Sequence, residues 1–313
     1  MSAESSNPSK PAFSPVAGLA LGILAVSTAS LFIRFAQQDA PSLVIAAARL
    51  SLAVLVLLPF ALTRARGELR RLTRRQLLLL GLAGLFLGLH FATWITSLEY
   101  TSVASSVVLV TTAPLWVALL SPIFLRERLP ASTALGLGVA LVGGVVVGLS
   151  QGCELQGGFS CPGMADFFQG RSFTGNLLAL AGAFLSGSYL MVGRRVRATL
   201  SLTAYTFVVY GVAALTLLLL VAFSGQSLLG YSPRTYLWFA LLALIPQLLG
   251  HSSFNWALRY LRAAYVSVAL LGEPVGTIIL AFLFLKESPT PLELTGGGLI
   301  LAGIFLATPA ERP

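Results

Sequence analysis

Phe124-Leu125-Arg126-Glu127-Arg128-Leu129 and Phe284-Leu285-Lys286-Glu287 are one motif written twice, 160 positions apart. Working outward at the same offset, Tyr100 falls on Tyr260 and Pro114 on Pro274. Gly136, Gly138 and Gly143 fall on Gly296, Gly298 and Gly303. Leu and Gly coincide cheaply in so apolar a chain; Tyr, Pro and Glu at one constant offset do not. A period near half of the 313 residues implies that a whole unit was duplicated, not that a short repeat was stacked. In a membrane protein such a duplication sets two helical bundles against each other with a path between them.

Composition supplies the membrane. Charged residues make up 10% of the chain and the mean hydropathy is +0.87, whereas a soluble domain is about 25% charged. The apolar runs reach the roughly 20 residues that a helix needs to cross a bilayer. Alternating segments of the kind that build a β-barrel are not visible, so the class is an all-α polytopic membrane protein. A net charge of +9 is not read as nucleic-acid binding, because the basic residues cluster between apolar runs, where they report topology. Residues 1–14 are polar and lack a charged n-region with a short apolar h-region. They read as a disordered cytoplasmic tail and not as a cleaved signal.

Ten spans are predicted: Pro15–Gln37, Pro41–Thr63, Gln76–Leu98, Thr101–Leu125, Ser132–Ser150, Phe173–Gly193, Leu202–Phe223, Tyr236–Leu258, Ala263–Leu285 and Pro291–Thr308. With the N-terminus inside, the inner loops hold Arg64, Arg66, Arg70, Arg71, Arg74 and Arg75, then Arg126 and Arg128, then Arg194, Arg195 and Arg197, then Arg259 and Arg262. The outer side holds Arg171, Arg234 and Lys286, with Arg34 near the outer end of the first span. That asymmetry places both termini in the cytoplasm. Five spans per copy is odd, so the second copy is inverted relative to the first. The expected organisation is a repeat over 15–150, an outer linker over 151–172, a repeat over 173–308 and a cytoplasmic tail over 309–313. Cys153 and Cys161 lie in the linker. A disulfide in an oxidising space and two unrelated thiols are both open, and neither does chemistry.

Polar groups inside the spans are costly and tend to face an interior or a cavity. Gln247, His251 and Asn255 lie at i, i+4, i+8 on one helix face, and His90 and Trp94 at i, i+4 on the corresponding span of the first copy. His90 and His251, the chain's two histidines, are 161 positions apart. They either line a cavity or bond a neighbouring helix. Glu273, next to Pro274, falls near the bilayer centre, where the first copy has Ala113 and Pro114 behind Thr111 and Thr112. A proton-coupling role, a substrate-amine anchor and a purely structural bond all stand for Glu273. Arg49 is read first as structural, snorkelling or paired with Glu99, with a substrate carboxylate as the third reading. Ser27, Ser30 and Arg34 share a face, with Ser186 and Tyr189 at the corresponding place in the second copy. No nucleophile–base pair, metal-ligand spacing or phosphate-cradling loop is present, so no enzyme, metal or cofactor is expected.

These residues resemble the drug/metabolite transporter superfamily, in its EamA-like family. The resemblance rests on Phe124–Leu129 and its echo Phe284–Glu287, on Gly272-Glu273-Pro274-Val275, on Arg49, and on Leu98–Ser102 with its partner Leu258–Tyr260. It covers about Pro15 to Thr308. It implies ten helices in a 5+5 inverted-topology repeat and secondary transport of small metabolites such as amino acids across the inner membrane. It also implies a cavity lined by His90, Trp94, Thr111, Thr112, Ser186, Tyr189, Gln247, His251, Asn255 and Glu273. Glu273, His90 and His251 are the candidate proton carriers, and Pro114 and Pro274 the candidate hinges. Ala113 stands where the second copy has Glu273, so a symmetric role for that acid is not implied. The expected partners are a small-molecule substrate, the lipid bilayer and protons as a candidate coupling ion, with no nucleic acid and a monomer or weak oligomer. The rival readings are a non-transporting receptor or assembly protein, and a flippase or enzyme acting on lipid-linked substrates.

Overall fold

The computed structural model describes residues 14–125, 131–150, 170–197, 199–257 and 272–307. Cys153, Cys161, Glu127, Arg126, Arg128, both tails and nearly all of the expected linker lie outside the described residues. Those residues are helical, with no strand among them. Six helices are long and apolar enough to cross a membrane: α1 (Pro15–Ala36), α2 (Ser42–Arg64), α3 (Arg74–Ser97), α6 (Arg171–Arg197), α7 (Leu202–Ser224) and α8 (Pro233–Ala257). Four more apolar helices offer shorter apolar stretches over their described residues. They are α4 (Val103–Val110, resuming as Ala113–Leu125), α5 (Ala131–Leu149), α9 (Gly272–Leu285) and α10 (Pro291–Ala307). Large apolar side chains such as Leu78, Leu141, Val145, Leu215 and Phe223 point outward. That surface is tolerable in lipid and costly in water.

The helix starts are written in the sequence. The first turn of a helix leaves N–H groups without partners, and a Ser or Thr just before it satisfies one of them. Ser102 Oγ accepts from the Ser105 N–H at 3.0 Å, Ser201 Oγ from Ala204 at 3.2 Å and Ser232 Oγ from Thr235 at 3.3 Å. Thr73 and Gln76 bond reciprocally at the start of α3. Hydroxyls also break helices from within. Thr111 and Thr112 donate to the carbonyls of Val107 and Leu109, at 2.5 and 2.7 Å, where α4 is interrupted. The break expected at Pro114 therefore sits two to three residues upstream of the ring. Pro274 is the third residue of the described α9.

The packing pairs helices from the first half of the chain with helices from the second. Among the pairs in contact are α1 with α8, α3 with α6, α2 with α7, α5 with α10, α1 with α9 and α4 with α6. Renumbering each helix by five within the ten turns the α1–α8 pair into α6–α3 and the α1–α9 pair into α6–α4, and returns α2–α7 and α5–α10 to themselves. Individual contacts obey the same exchange. A Cβ on Gly143 would lie 2.6 Å from the Gly296 carbonyl oxygen, and one on Gly303 would lie 2.6 Å from the Gly136 carbonyl oxygen. A shift of 160 takes 143 to 303 and 136 to 296. Likewise Ser27 Oγ donates to the Glu273 carbonyl at 3.4 Å, and a Cβ on Gly187 would lie 3.0 Å from the Ala113 carbonyl. Here 27 maps to 187 and 113 to 273.

Candidate functional site

The site is assembled around Arg49 in the middle of α2. Its side chain is 0% exposed, so it does not snorkel to a surface. Glu99 is not its partner: that carboxylate accepts from the Ser42 N–H at 3.1 Å and from the Ser42 hydroxyl. Arg49 Nε donates instead to Gln247 Oε1 on α8 at 2.9 Å. Beneath it lies the ring of Phe91, whose centroid is 4.2 Å from the guanidinium carbon. An arginine held over an aromatic face with its plane fixed keeps its remaining N–H groups oriented.

Gln247 reaches Arg49 because α8 changes geometry. From Ala243 to His251 the helix widens to π-helical hydrogen bonding, with Pro246 inside the stretch. Proline removes one donor from the ladder, and such widened turns recur where a side chain must be re-aimed at a functional site. Gln247 itself is fully buried.

Both histidines flank this pair. His90 is buried on α3 and its Nδ1 lies 2.9 Å from the Gly182 carbonyl of α6. A carbonyl only accepts, so Nδ1 carries the hydrogen. The ring stacks on Trp94 at 5.9 Å and 11°. His251 on α8 meets the edge of Phe91 at 5.6 Å. Asn255, one turn further, donates to the His251 carbonyl at 3.0 Å and to the Tyr189 hydroxyl of α6 at 3.4 Å. Glu273 is half-buried at the described start of α9 and lies within electrostatic range of Arg49. Arg49, His90, Trp94, Tyr189, Gln247, His251, Asn255 and Glu273 are thus gathered from α2, α3, α6, α8 and α9.

The other candidates are placed differently. The hydroxyls of Thr111 and Thr112 are spent on carbonyls of their own helix. Ser186 is half-buried on α6 beside Gly187, at the α4 contact. Two members of the cluster were not singled out by the sequence reading. Phe91 is the platform for Arg49, and one apolar residue among many carries no signal of its own. Tyr210 of α7, fully buried, neighbours Gln247, Ser252, Tyr189 and Arg49. Its signal is a spacing: 210 − 49 and 251 − 90 both equal 161, one more than the 160 that relates the two motifs, so Tyr210 stands one residue past the position matching Arg49, as His251 does for His90.

Both ends of the bundle are tied by polar bonds. At one end Glu287 bonds Arg34 Nη2 at 2.8 Å and accepts the Val103 N–H at 3.0 Å. Beside it Glu293 accepts from Ser105 Oγ at 2.8 Å and from the Ser102 hydroxyl. At the other end Glu68 accepts from the Ser201 N–H at 2.6 Å and Gln76 donates to Thr199 Oγ1 at 3.3 Å.

The sequence profile of the EamA-like transporter family matches the chain twice, over residues 14–149 and 173–308. An uncharacterized transporter of Archaeoglobus fulgidus is 25% identical over 93% of this chain and 95% of its own length. A probable terminal-alkyne amino-acid exporter of Streptantibioticus cattleyicolor is 27% identical over 83% of each chain. A solved crystal structure superposes with a TM-score of 0.62 at 21% identity, over 94% of this chain and 96% of that one, a likeness of fold.

Proposed function

The chain belongs to the EamA-like transporter family, and from that premise we propose that it is a secondary transporter of small polar metabolites, amino acids first among them. It acts in the bacterial inner membrane, with both termini cytoplasmic, as an exporter or facilitator. The observation that carries the reading is the cluster around Arg49. Charged and polar groups buried mid-helix are expensive in a membrane unless they serve a passage or a ligand. Here they come from both copies and meet between them.

The contacts that exchange under a shift of 160 support a ten-helix, 5+5 inverted repeat. In such a repeat, rocking of one half against the other opens a central site to each side in turn. The interruption of α4 before Pro114 and the turn at Pro274 are the proposed flexing points. Glu273, His90 and His251 are the proposed proton carriers, and Glu273 is also the natural anchor for a substrate ammonium. The relative from S. cattleyicolor is by its name a probable exporter of a terminal-alkyne amino acid. That suits a site walled by Phe91, Trp94 and Tyr189.

Flux tests this directly. Purified protein in proteoliposomes is expected to take up labelled L-leucine or L-propargylglycine saturably, and faster when the trans side holds unlabelled amino acid. A pH gradient that accelerates uptake, with the acceleration lost in Glu273→Gln, establishes proton coupling; indifference to the gradient makes the protein a facilitator. Absence of saturable flux for every amino acid, in protein that remains folded, overturns the substrate assignment.

A further inference from the structure

We infer that the Arg49 guanidinium, with the Gln247 amide and the Tyr210 hydroxyl beside it, is the docking point for a substrate carboxylate. The inference rests on the transporter reading and narrows it, because it makes a carboxylate obligatory and assigns the atoms that receive it.

The argument starts from unspent hydrogen-bonding capacity. Arg49 uses Nε on Gln247 Oε1, while its Nη1 and Nη2 are buried with no hydrogen-bond partner among the described residues. Gln247 Nε2 and the Tyr210 hydroxyl are buried next to each other, with Ser252 close by, and neither completes a well-formed hydrogen bond among the described residues. Every one of these groups can donate, and the three nitrogens can do nothing else. A buried donor left unmade is costly and a buried cation more so. The complementary ligand therefore brings acceptors and negative charge. A carboxylate fits best, since two oxygens match the two Nη groups of one guanidinium as a fork.

Geometry points the same way. The guanidinium carbon sits 4.2 Å from the centroid of the Phe91 ring, a cation–π contact that uses none of the Nη hydrogens as ordinary hydrogen bonds. Gln247 is aimed at Arg49 from the π-helical stretch and cannot turn its oxygen away without losing the Nε bond. Glu273 does not fill the fork, because among the described residues the ion pair is Arg34 with Glu287. Arg49 and Tyr210 stand on α2 and α7, which pack on each other. They therefore sit where the two copies meet, the place that alternating access exposes to both sides.

The test compares ligands that differ only in the carboxylate. Binding of L-leucine, L-leucinamide and 3-methylbutan-1-amine is measured as inhibition of labelled L-leucine uptake and as thermal protection of purified protein. L-Leucine is expected to bind about 10- to 100-fold more tightly than its amide, the range for a charge-assisted bidentate contact. Arg49→Lys keeps the charge but not the fork, and is expected to collapse that ratio towards one. Gln247→Glu supplies Arg49 with a permanent carboxylate. It is expected to raise the melting temperature without ligand and to abolish L-leucine binding, an outcome that a merely structural Arg49 does not produce. If Arg49→Lys does not fold, Gln247→Glu decides alone. Equal binding of L-leucine and L-leucinamide by the wild type, or Gln247→Glu protein that still transports L-leucine, overturns the carboxylate site and leaves the transporter standing. Failure of every amino acid overturns the reading beneath it.

Discussion

At Gly143 and Gly303 the backbones of α5 and α10 approach so closely that a single methyl group has nowhere to go. A Cβ on Gly143 would lie 2.6 Å from one backbone oxygen and 2.8 Å from the Ile300 nitrogen, whereas nothing lies within 4 Å of a Cβ on Gly144. Backbone atoms cannot swing aside, and lipid gives helices no hydrophobic reason to associate, so close small-residue packing has to hold this pair. Gly143→Leu is therefore expected to destabilise by about 1–3 kcal/mol, while Gly144→Leu changes stability by no more than about 0.5 kcal/mol. Thermal unfolding in detergent checks it, and equal melting temperatures for the two variants would remove the contact from the account. The site was only partly legible at this scale. Identity and offset gave the histidines, Glu273 and the Gln247 face, because buried ionisable residues are rare enough to stand out. They did not give the partner of Arg49. Glu99 looked available on charge alone, yet it caps α2 through Ser42, and an amide 198 positions away does that work.

Among the elements, α8 shows how a start and a middle are specified by different means. Its start is capped twice, by Ser232 Oγ and by Asp39 from the α1–α2 turn. Asp39 accepts from the Ser232 N–H at 2.9 Å and from the Thr235 hydroxyl at 2.7 Å. Those bonds favour the carboxylate and hold the Asp39 pKa below its ordinary 3.8. A carboxyl whose folded-state pKa is depressed contributes stability that is complete above the unfolded value and fades as pH falls through the folded one. Asp39→Asn is accordingly expected to melt lower than wild type at pH 7, with the gap closing below about pH 4. Melting curves of the pair across that window test it; a gap of constant size down to about pH 2 would show that the charge of Asp39 is not what ties the turn to α8. The middle of α8 was not legible. Apolar runs and capping hydroxyls announce where helices begin and end. The π-helical stretch over Ala243–His251 leaves no periodicity to read when nearly every residue on every face is apolar. Length is legible where both ends of a helix are described: Ser132–Ser150 is the expected span and Ala131–Leu149 the helix, whereas the span expected over Thr101–Leu125 is interrupted at Thr111 and Thr112.

Over the whole molecule, alternating access requires that each end be held by contacts weak enough to break. The end bearing Glu287 meets that requirement. Arg34 and Glu287 are 27% and 29% exposed, so their bond is worth about 1 kcal/mol or less. Lys286, just before, is the one non-glycine residue with positive φ among those described, at 60°. That left-handed turn stops α9 and swings Glu287 across to α1 and α4, so three helix ends converge on one carboxylate. Removing a tie of this size shifts a two-state equilibrium by about fivefold, in favour of the state open at this end. Ser106, 0% exposed behind the tie and bonded to Ser97, reports that opening. In a Cys153→Ser, Cys161→Ser background, labelling of Ser106→Cys by a membrane-impermeant maleimide is expected to quicken roughly fivefold with Arg34→Gln. It should quicken further with Glu287→Ala, which also frees the Val103 N–H. The order of the two variants carries the argument. A simple loosening of the fold would expose Ser106 from either variant alike and lower the melting temperature in step. A shifted equilibrium raises the labelling rate in the order of bonds lost, and saturating substrate changes that rate. Labelling that is the same in both variants and blind to substrate would assign Glu287 to helix capping alone.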